Sequence, residues 1–516
     1  VFFQSCSGDS ASKDKTNVFR YNEHSDITSL DPAFAKDQRN IWAVNQLYNT
    51  LVGLDKDMNI IPELANSWDI SEDGMVYTFN LRDNVYFHEY SFIKNRTVTA
   101  DDVVFSLKRL TDPNLASPGS WTMNKVKSIT ALDDLTVQIQ LKTNFPAFLG
   151  VLTMKYCSVL PSEVSTGQID FRENPIGTGP FYFKKWIPKE KLVFRKNNLY
   201  FERDSTGISL PYFEAISITF LPDKQSEFLQ FVQGNLDFVN GLDISYKDEL
   251  LNAEGELDDK YKSFVEIEKI MQLNTEYVGY NLRDENYSVH HKDFRKAINY
   301  AIDKQKMIKY LRNGIGTPAS QGFVPPSLLN AKKVKGYSYS PELAIKHLNQ
   351  FKALSGISNP SLTISTNPSY VDLIELMQSD LKKIGIELEI DVMPPSTLRQ
   401  KRSKGELEAF RASWIADYPD AENYLSLFYS KNKTPNGPNY TFFDSKTYDS
   451  LYNIALSSTN MDKRLSSYQM LDSIVIEEAA VIPLFYDQVV RFKHKSLKNF
   501  TTNSINMLDL KHAYKN

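Results

Sequence analysis

Apolar residues recur along this chain at two different spacings, and segments of the two kinds alternate from end to end. Runs with every second position apolar include Asn17-Val18-Phe19-Arg20-Tyr21, Val76-Tyr77-Thr78-Phe79-Asn80-Leu81, Leu192-Val193-Phe194, Ile216-Ser217-Ile218-Thr219-Phe220 and Tyr277-Val278-Gly279-Tyr280-Asn281. That period predicts strands with one buried face. Between them lie stretches at helical spacing: Trp42, Val44, Leu47 and Tyr48; Val103, Val104, Leu107 and Leu110; Phe228, Leu229 and Val232; and the run Phe294 to Asp303. Thr99-Ala100-Asp101-Asp102 has the Thr-x-x-acid form that starts a helix, and Gly234 marks a helix end. Asp73-Gly74 between two alternating runs predicts a hairpin.

From Ser340 onward the alternation becomes regular. Ser340-Pro341-Glu342 opens a helix with Ala344, Leu348 and Phe351 on one face, stopping at Gly356. Leu362-Thr363-Ile364 predicts a strand, Tyr370 to Lys383 a helix ended by Gly385, and Ile386, Leu388, Ile390 and Val392 another strand. Strand, helix, strand implies a right-handed crossover in a mainly parallel sheet, and such sheets bind ligands at their strand ends. Just downstream stands Phe410 to Tyr424, which brings Arg411, Trp414 and the acidic turn Asp417-Tyr418-Pro419-Asp420 into one short segment. Both charge signs beside a flat apolar face suit a zwitterion, although an Asp in such a turn also serves to bond local backbone N–H groups. A helix over Arg464 to Glu478 and a strand over Ile482 to Tyr486 complete the pattern.

Composition narrows the class. A length of 516 residues suggests roughly three domain-sized units. A net charge of −4 without a basic block gives no footprint for nucleic acid. No apolar run is long enough to span a bilayer. The 28 Tyr and 31 Phe exceed what a core needs and point to a lined cavity. Two cysteines, Cys6 and Cys157, exclude a disulfide framework and a Cys-based zinc site. Cys6 sits between an apolar stub and a polar run to Lys15, which matches a bacterial lipoprotein junction with Cys6 lipidated; the alternative is a terminal cysteine without a role. None of the seven His stands in a His-Glu-x-x-His pattern, and His290-His291 falls in a charged stretch expected to face solvent. Gly177-Thr178-Gly179-Pro180 lacks the Lys-Ser/Thr of a phosphate loop, and no Gly-x-Ser-x-Gly turn is present, which leaves a secreted hydrolase as a minor alternative.

Five motifs stand in a telling order: Leu30-Asp31-Pro32-Ala33, the run Pro62 to Leu81, Phe87-His88, Thr99 to Arg109, and Pro175-Ile176-Gly177-Thr178-Gly179-Pro180-Phe181. Together they resemble the solute-binding proteins of peptide ABC importers, the oligopeptide- and dipeptide-binding family (family 5 extracellular solute-binding proteins). The resemblance spans nearly everything after the tether. It departs at Glu89-Tyr90 and the insertion-like Ser91 to Arg96, expected to alter only a surface turn.

The resemblance implies an α/β, two-lobed periplasmic-binding-protein fold (type II) with an extra subdomain inserted in lobe I. The expected division is a tether at 1–16, lobe I from 17–48, 169–272 and 487–516, the insert at 49–168, and lobe II at 273–486. It implies a non-enzymatic, cofactor-free monomer that captures short peptides between closing lobes and delivers them to an inner-membrane ABC permease with its ATPase subunits. The location implied is the periplasm or cell surface, with lipid on Cys6. In Trp414-Ile415-Ala416-Asp417 the resemblance assigns the ligand's ammonium to Asp417. Arg411 is a candidate for the terminal carboxylate, the alternative being a salt bridge to a neighbouring acid. Tyr370 stands where some members carry a basic His. Ser413 and Ile415 would offer backbone groups to an extended ligand. Trp414 and Tyr486 are candidates for lining side-chain pockets or for core packing, and Phe34 to Gln38 for the facing edge of lobe I. Relatives also bind nickel chelates, glutathione, opines or oligosaccharides, so a metal chelate or another small solute stays open.

Overall fold

The computed structural model describes residues 17–91, 93–166, 170–172, 174–241, 243, 246–252, 255–329 and 334–516; Cys6 and the tether lie outside them. In the first lobe a four-stranded sheet runs in the order Val18–Asn22, Ala215–Thr219, Lys191–Lys196, Phe181–Ile187, the first pair parallel and the others antiparallel. Its alternating Phe19, Tyr21, Leu192, Phe194, Ile216 and Ile218 are all fully buried. A second, antiparallel sheet, Ala65–Ile70, Val76–Leu81, Thr136–Leu141 and Val126–Asp133, contains the expected hairpin, with Gly74 at φ 69° in its turn. Buried residues of both sheets form one continuous core, so the inserted sheet completes the base lobe's interior.

The second lobe hangs on two long strands. Val265–Tyr280 and Val481–His494 pair antiparallel along most of their length, with an irregularity between Met271 and Thr275. On the first-lobe side, Phe238–Asn240 joins the sheet; on the other, Ala409–Ile415, Ser361–Thr366 and Glu387–Val392 follow in that order. Only the last three strands are mutually parallel, linked through helices Val371–Lys383 and Pro395–Lys404. The mainly parallel sheet expected from the sequence is therefore a mixed one. The strand–helix–strand unit was legible locally, but its antiparallel neighbours come from distant segments. Likewise His290 is exposed, while His291 is half-buried with its ring edge-on to Phe351.

The sequence motifs turn out to be struts of the first lobe. Asp31 accepts a two-pronged bond from Arg109 (2.9 and 2.6 Å), tying the first motif to the fourth. Arg96, from the insertion-like stretch, grips Asp102 of the capping box and Glu163, so that stretch does more than reshape a turn. Gly177 and Gly179 press against the end of helix Gln38–Leu47, where an added Cβ would lie 2.1 Å from the Leu47 carbonyl oxygen or 2.4 Å from its carbon. His88 holds this contact: Nε2–H donates to the Gly179 carbonyl at 3.0 Å and Nδ1 accepts from the Gly177 N–H at 3.3 Å. Cys157 is buried, its thiol pushed up to about 12 by burial, as an inert core residue.

Burial lowers the His88 pKa from its ordinary 6.5 to about 4. A proton on Nδ1 would also face the Gly177 N–H. Because the folded pKa is depressed, stability from neutral His88 is complete above about pH 6.5 and lost as pH falls toward 4. The span is worth on the order of 3 kcal/mol. Thermal unfolding followed across this window should show a steeper pH dependence for wild type than for His88→Gln.

Candidate functional site

Strand Ala409–Ile415 is paired on one side with Asn274–Tyr280 throughout. On its other side, pairing with Ser361–Thr366 covers only Ala409 and Phe410. Beyond Phe410 the strand therefore presents an open edge. It ends where the Ala416 N–H donates to the Leu273 carbonyl (2.9 Å), and the chain turns at Asp417. Buried Asn423 orders that turn, accepting from Trp414 Nε1 (2.8 Å) and from the Asp417 N–H (3.3 Å) through the same oxygen. Glu422 accepts hydroxyl bonds from Tyr418 and Tyr452, and Asp420 faces Arg464 at 3.5 Å. Burial raises the pKa of both acids, and these partners oppose it.

This turn closes one wall of a cavity of about 430 Å³ between the lobes. The second lobe contributes Ile415 to Asp417. The first contributes the start of helix Gln38–Leu47, segments at 53–56, 61–63 and 153–156, and the stretch 501–511. That stretch is held from below by Arg491, fully buried against the rings of Trp42, Phe238 and Phe500, which donates to Asn506 Oδ1 (2.8 Å) and the Met507 carbonyl (3.0 Å). Burial lowers the Arg491 pKa to about 9. The lobes also touch outside the cavity. Tyr418 joins the first-lobe core, and a Cβ on Gly150 would lie 3.3 Å from the Tyr418 side chain and 3.6 Å from Pro419. Asn144 Nδ2 donates to the Ser457 carbonyl at 3.1 Å.

Asp417 is exposed and opens onto the cavity, where surrounding protein still desolvates its carboxylate in part. Its carboxyl pKa is raised above the usual 3.8, opposed only by a bond from Asn423. No cation contributes, so the wall carries an uncompensated acid.

The remaining candidates divide. Ile415 is exposed and lines the cavity with Gln38, whose Nε2 reaches the Asn506 carbonyl at 3.5 Å. Ser413 and Trp414 are half-buried on the strand that leads to it, Trp414 packed against the second lobe's core. Arg411 does not line it. Its guanidinium is bonded to buried Glu276 on the neighbouring strand and stacked 3.2 Å from the centre of the Tyr370 ring, so the salt-bridge alternative describes its position. Tyr370, at the position where some members carry a basic His, thus covers the Arg411 guanidinium. Tyr486 is buried, donating to the Gly322 carbonyl at 2.9 Å, and packs as core. Phe34 faces a separate depression of about 970 Å³ within the first lobe, while the residues that follow it, Ala35 to Gln38, line the cleft cavity. The cavity's walls at 53–56, 61–63, 153–156 and 501–511 escaped sequence reasoning: they are short segments of mixed character from three distant parts of the chain, with no motif in common. Among the described residues no cluster of His, Cys, Asp and Glu could hold a metal.

Two lobes on shared strands around a cavity with an unneutralised carboxylate define a binding protein that encloses a small solute. The family model "Bacterial extracellular solute-binding proteins, family 5 Middle" matches residues 59–436. The chain belongs to that family. It is 28% identical over 503 residues to heme-binding protein A of Haemophilus influenzae (92% of this chain, 88% of that one). It is 27% identical over 483 residues to the glutathione-binding protein GsiB of Salmonella typhi (92% and 90%). Among solved structures, the periplasmic binding protein DppA of Helicobacter pylori in complex with the peptide STSA superposes with a TM-score of 0.77 at 27% identity, covering 96% of this chain and 98% of that one.

Burial pushes the Glu276 carboxylate up and Arg411 opposes it, so each is the other's compensation. Arg411→Met alone should destabilise the protein by about 3–5 kcal/mol in urea unfolding, and the double change Arg411→Met/Glu276→Met by much less.

Proposed function

We propose that this protein captures short peptides between its lobes and passes them to an ABC-type permease at the inner membrane. The observation that carries the reading is Asp417: an exposed carboxylate on the cavity wall, its pKa raised by the surrounding protein, with no cation paired to it among the described residues. An α-ammonium group supplies the missing charge through a charge-assisted hydrogen bond. The open edge of strand Ala409–Ile415 beside it suits an extended backbone, with Ser413 and Ile415 offering main-chain groups, which reads no side chain and favours broad sequence tolerance. A volume of about 430 Å³ lies in the lower part of the range for small-ligand sites. The wall carries Asp37, Asp55, Glu63, Glu202 and Asp509 besides Asp417, which suits a polar ligand better than a broad apolar macrocycle. Relatives that bind a peptide or glutathione agree with this class. Lobe I comprises 17–48, 169–272 and 487–516, the insert 49–168 and lobe II 273–486, with the bend at the strand irregularity near 271–275. Lipid on Cys6 keeps the monomer at a bacterial membrane, facing the periplasm.

Native mass spectrometry on protein purified without refolding should release a ladder of short peptides, and Asp417→Asn should weaken their binding at least about a hundredfold. One defined non-peptide mass, or a metal complex indifferent to Asp417→Asn, would overturn the reading. The pH profile adds a second check. With the free-protein pKa of Asp417 raised, affinity should be full above it and fall on acidification through it, at higher pH than an ordinary aspartate gives. It should fall again above about pH 8 as the peptide amine loses its proton.

A further inference from the structure

Four lysines line the cavity, and three are accounted for. Lys36 and Lys56 are exposed, and Lys511 is paired with Glu202 at 2.9 Å. Lys155 differs. It stands in the single turn Lys155–Cys157 on the first-lobe wall, is only 8% exposed, and its Nζ has no hydrogen bond or ion pair among the described residues. It acts on Glu63 through charge alone, and that carboxylate is committed elsewhere: it accepts from Asn49 Nδ2 (2.8 Å), the Thr50 N–H (2.9 Å) and Thr50 Oγ1 (2.7 Å). Burial raises the Glu63 pKa, but Lys155, Lys511 and these bonds together hold it below its usual value. Lys155 therefore helps keep Glu63 ionised from beyond contact distance and receives no bond in return. Its Nζ is not shut away from the cavity, so three donors with no acceptor in the described protein face the space a ligand would fill. Their acceptor comes from what the cavity holds, water or ligand.

We infer that Lys155 receives the anionic end of the captured ligand, the C-terminal carboxylate of a peptide whose ammonium rests on Asp417. The inference builds on the peptide reading above and replaces Arg411, whose fork is already occupied by Glu276, as the carboxylate's partner. The two anchors lie on opposite lobes, so a ligand meets both only when the lobes are together. Each peptide then gains in the closed form an interaction that the open form lacks, which is the condition for a ligand to drive closure.

The test uses a mixed-sequence tripeptide library prepared as free acids and as C-terminal amides, with retention on the full protein read by native mass spectrometry. Wild type should retain free acids at least about tenfold over amides; Lys155→Met should abolish that preference by weakening the acids alone, and Lys155→Arg should restore most of it. Amide binding by Lys155→Met doubles as evidence that the variant is folded. Equal retention of acids and amides by wild type, a comparison that needs no variant, overturns the assignment while leaving the peptide reading intact. So does a preference that survives in Lys155→Met. If wild type retains neither form, the peptide reading fails and the assignment falls with it.

Discussion

The structure depends on one backbone ladder. Val265–Tyr280 and Val481–His494 carry their hydrogen bonds from one lobe into the other, so neither lobe can shift without bending these strands. Main-chain bonds are expensive to leave unmade away from water, which confines bending to places where the ladder is already irregular, between Met271 and Thr275 and again between Glu276 and Tyr277. The site is built directly on that point. Strand Ala409–Ile415 pairs with Asn274–Tyr280, the Ala416 N–H bonds Leu273, and the Leu273 N–H in turn donates to the Ser504 carbonyl of the stretch lining the opposite wall (2.7 Å). The irregular stretch of the ladder and the cavity wall are thus consecutive links of one hydrogen-bond chain.

Charge is managed in two ways around this frame. Where it serves the scaffold, it is matched inside the protein: Arg411 with Glu276, Arg109 with Asp31, Lys511 with Glu202. In the cavity wall matching is incomplete: Lys511 is paired with Glu202, while Asp417 and Lys155 have no ion-pair partner among the described residues. The contrast separates structural from functional charge more sharply than residue type does, since Arg411 has the chemistry of an anchor and the surroundings of a strut.

Much of the fold was legible because its signals are local. Alternation placed the strands of the first lobe, Asp73-Gly74 its hairpin, the capping box its helix, and Gly356, at φ 74°, the end of helix Pro341–Ser355. The sheet's mixed direction was not legible, because pairing partners such as Glu276 and Ser413 lie far apart in sequence and no local period records which way a neighbour runs. The site divides along the same line. Trp414 to Asp417 could be read as one segment with its own chemistry. Arg411 could not be assigned, since its fate was decided by Glu276 and Tyr370, 135 and 41 positions away by residue number. Lys155 carries no motif at all; only its place in the fold, on a cavity wall with no acceptor among the described residues, distinguishes it from the other cavity lysines.

Asp417 and Tyr418 are neighbours in one braced turn, yet they face different company. The carboxylate looks into the cavity, and the ring enters the first lobe's core beside Gly150. A rotation that withdraws one withdraws the other. The residue proposed to meet cargo and the residue that packs on the opposite lobe are thus a single lever one peptide unit long, so on that reading the protein's outer shape becomes a readable report of whether its interior is filled.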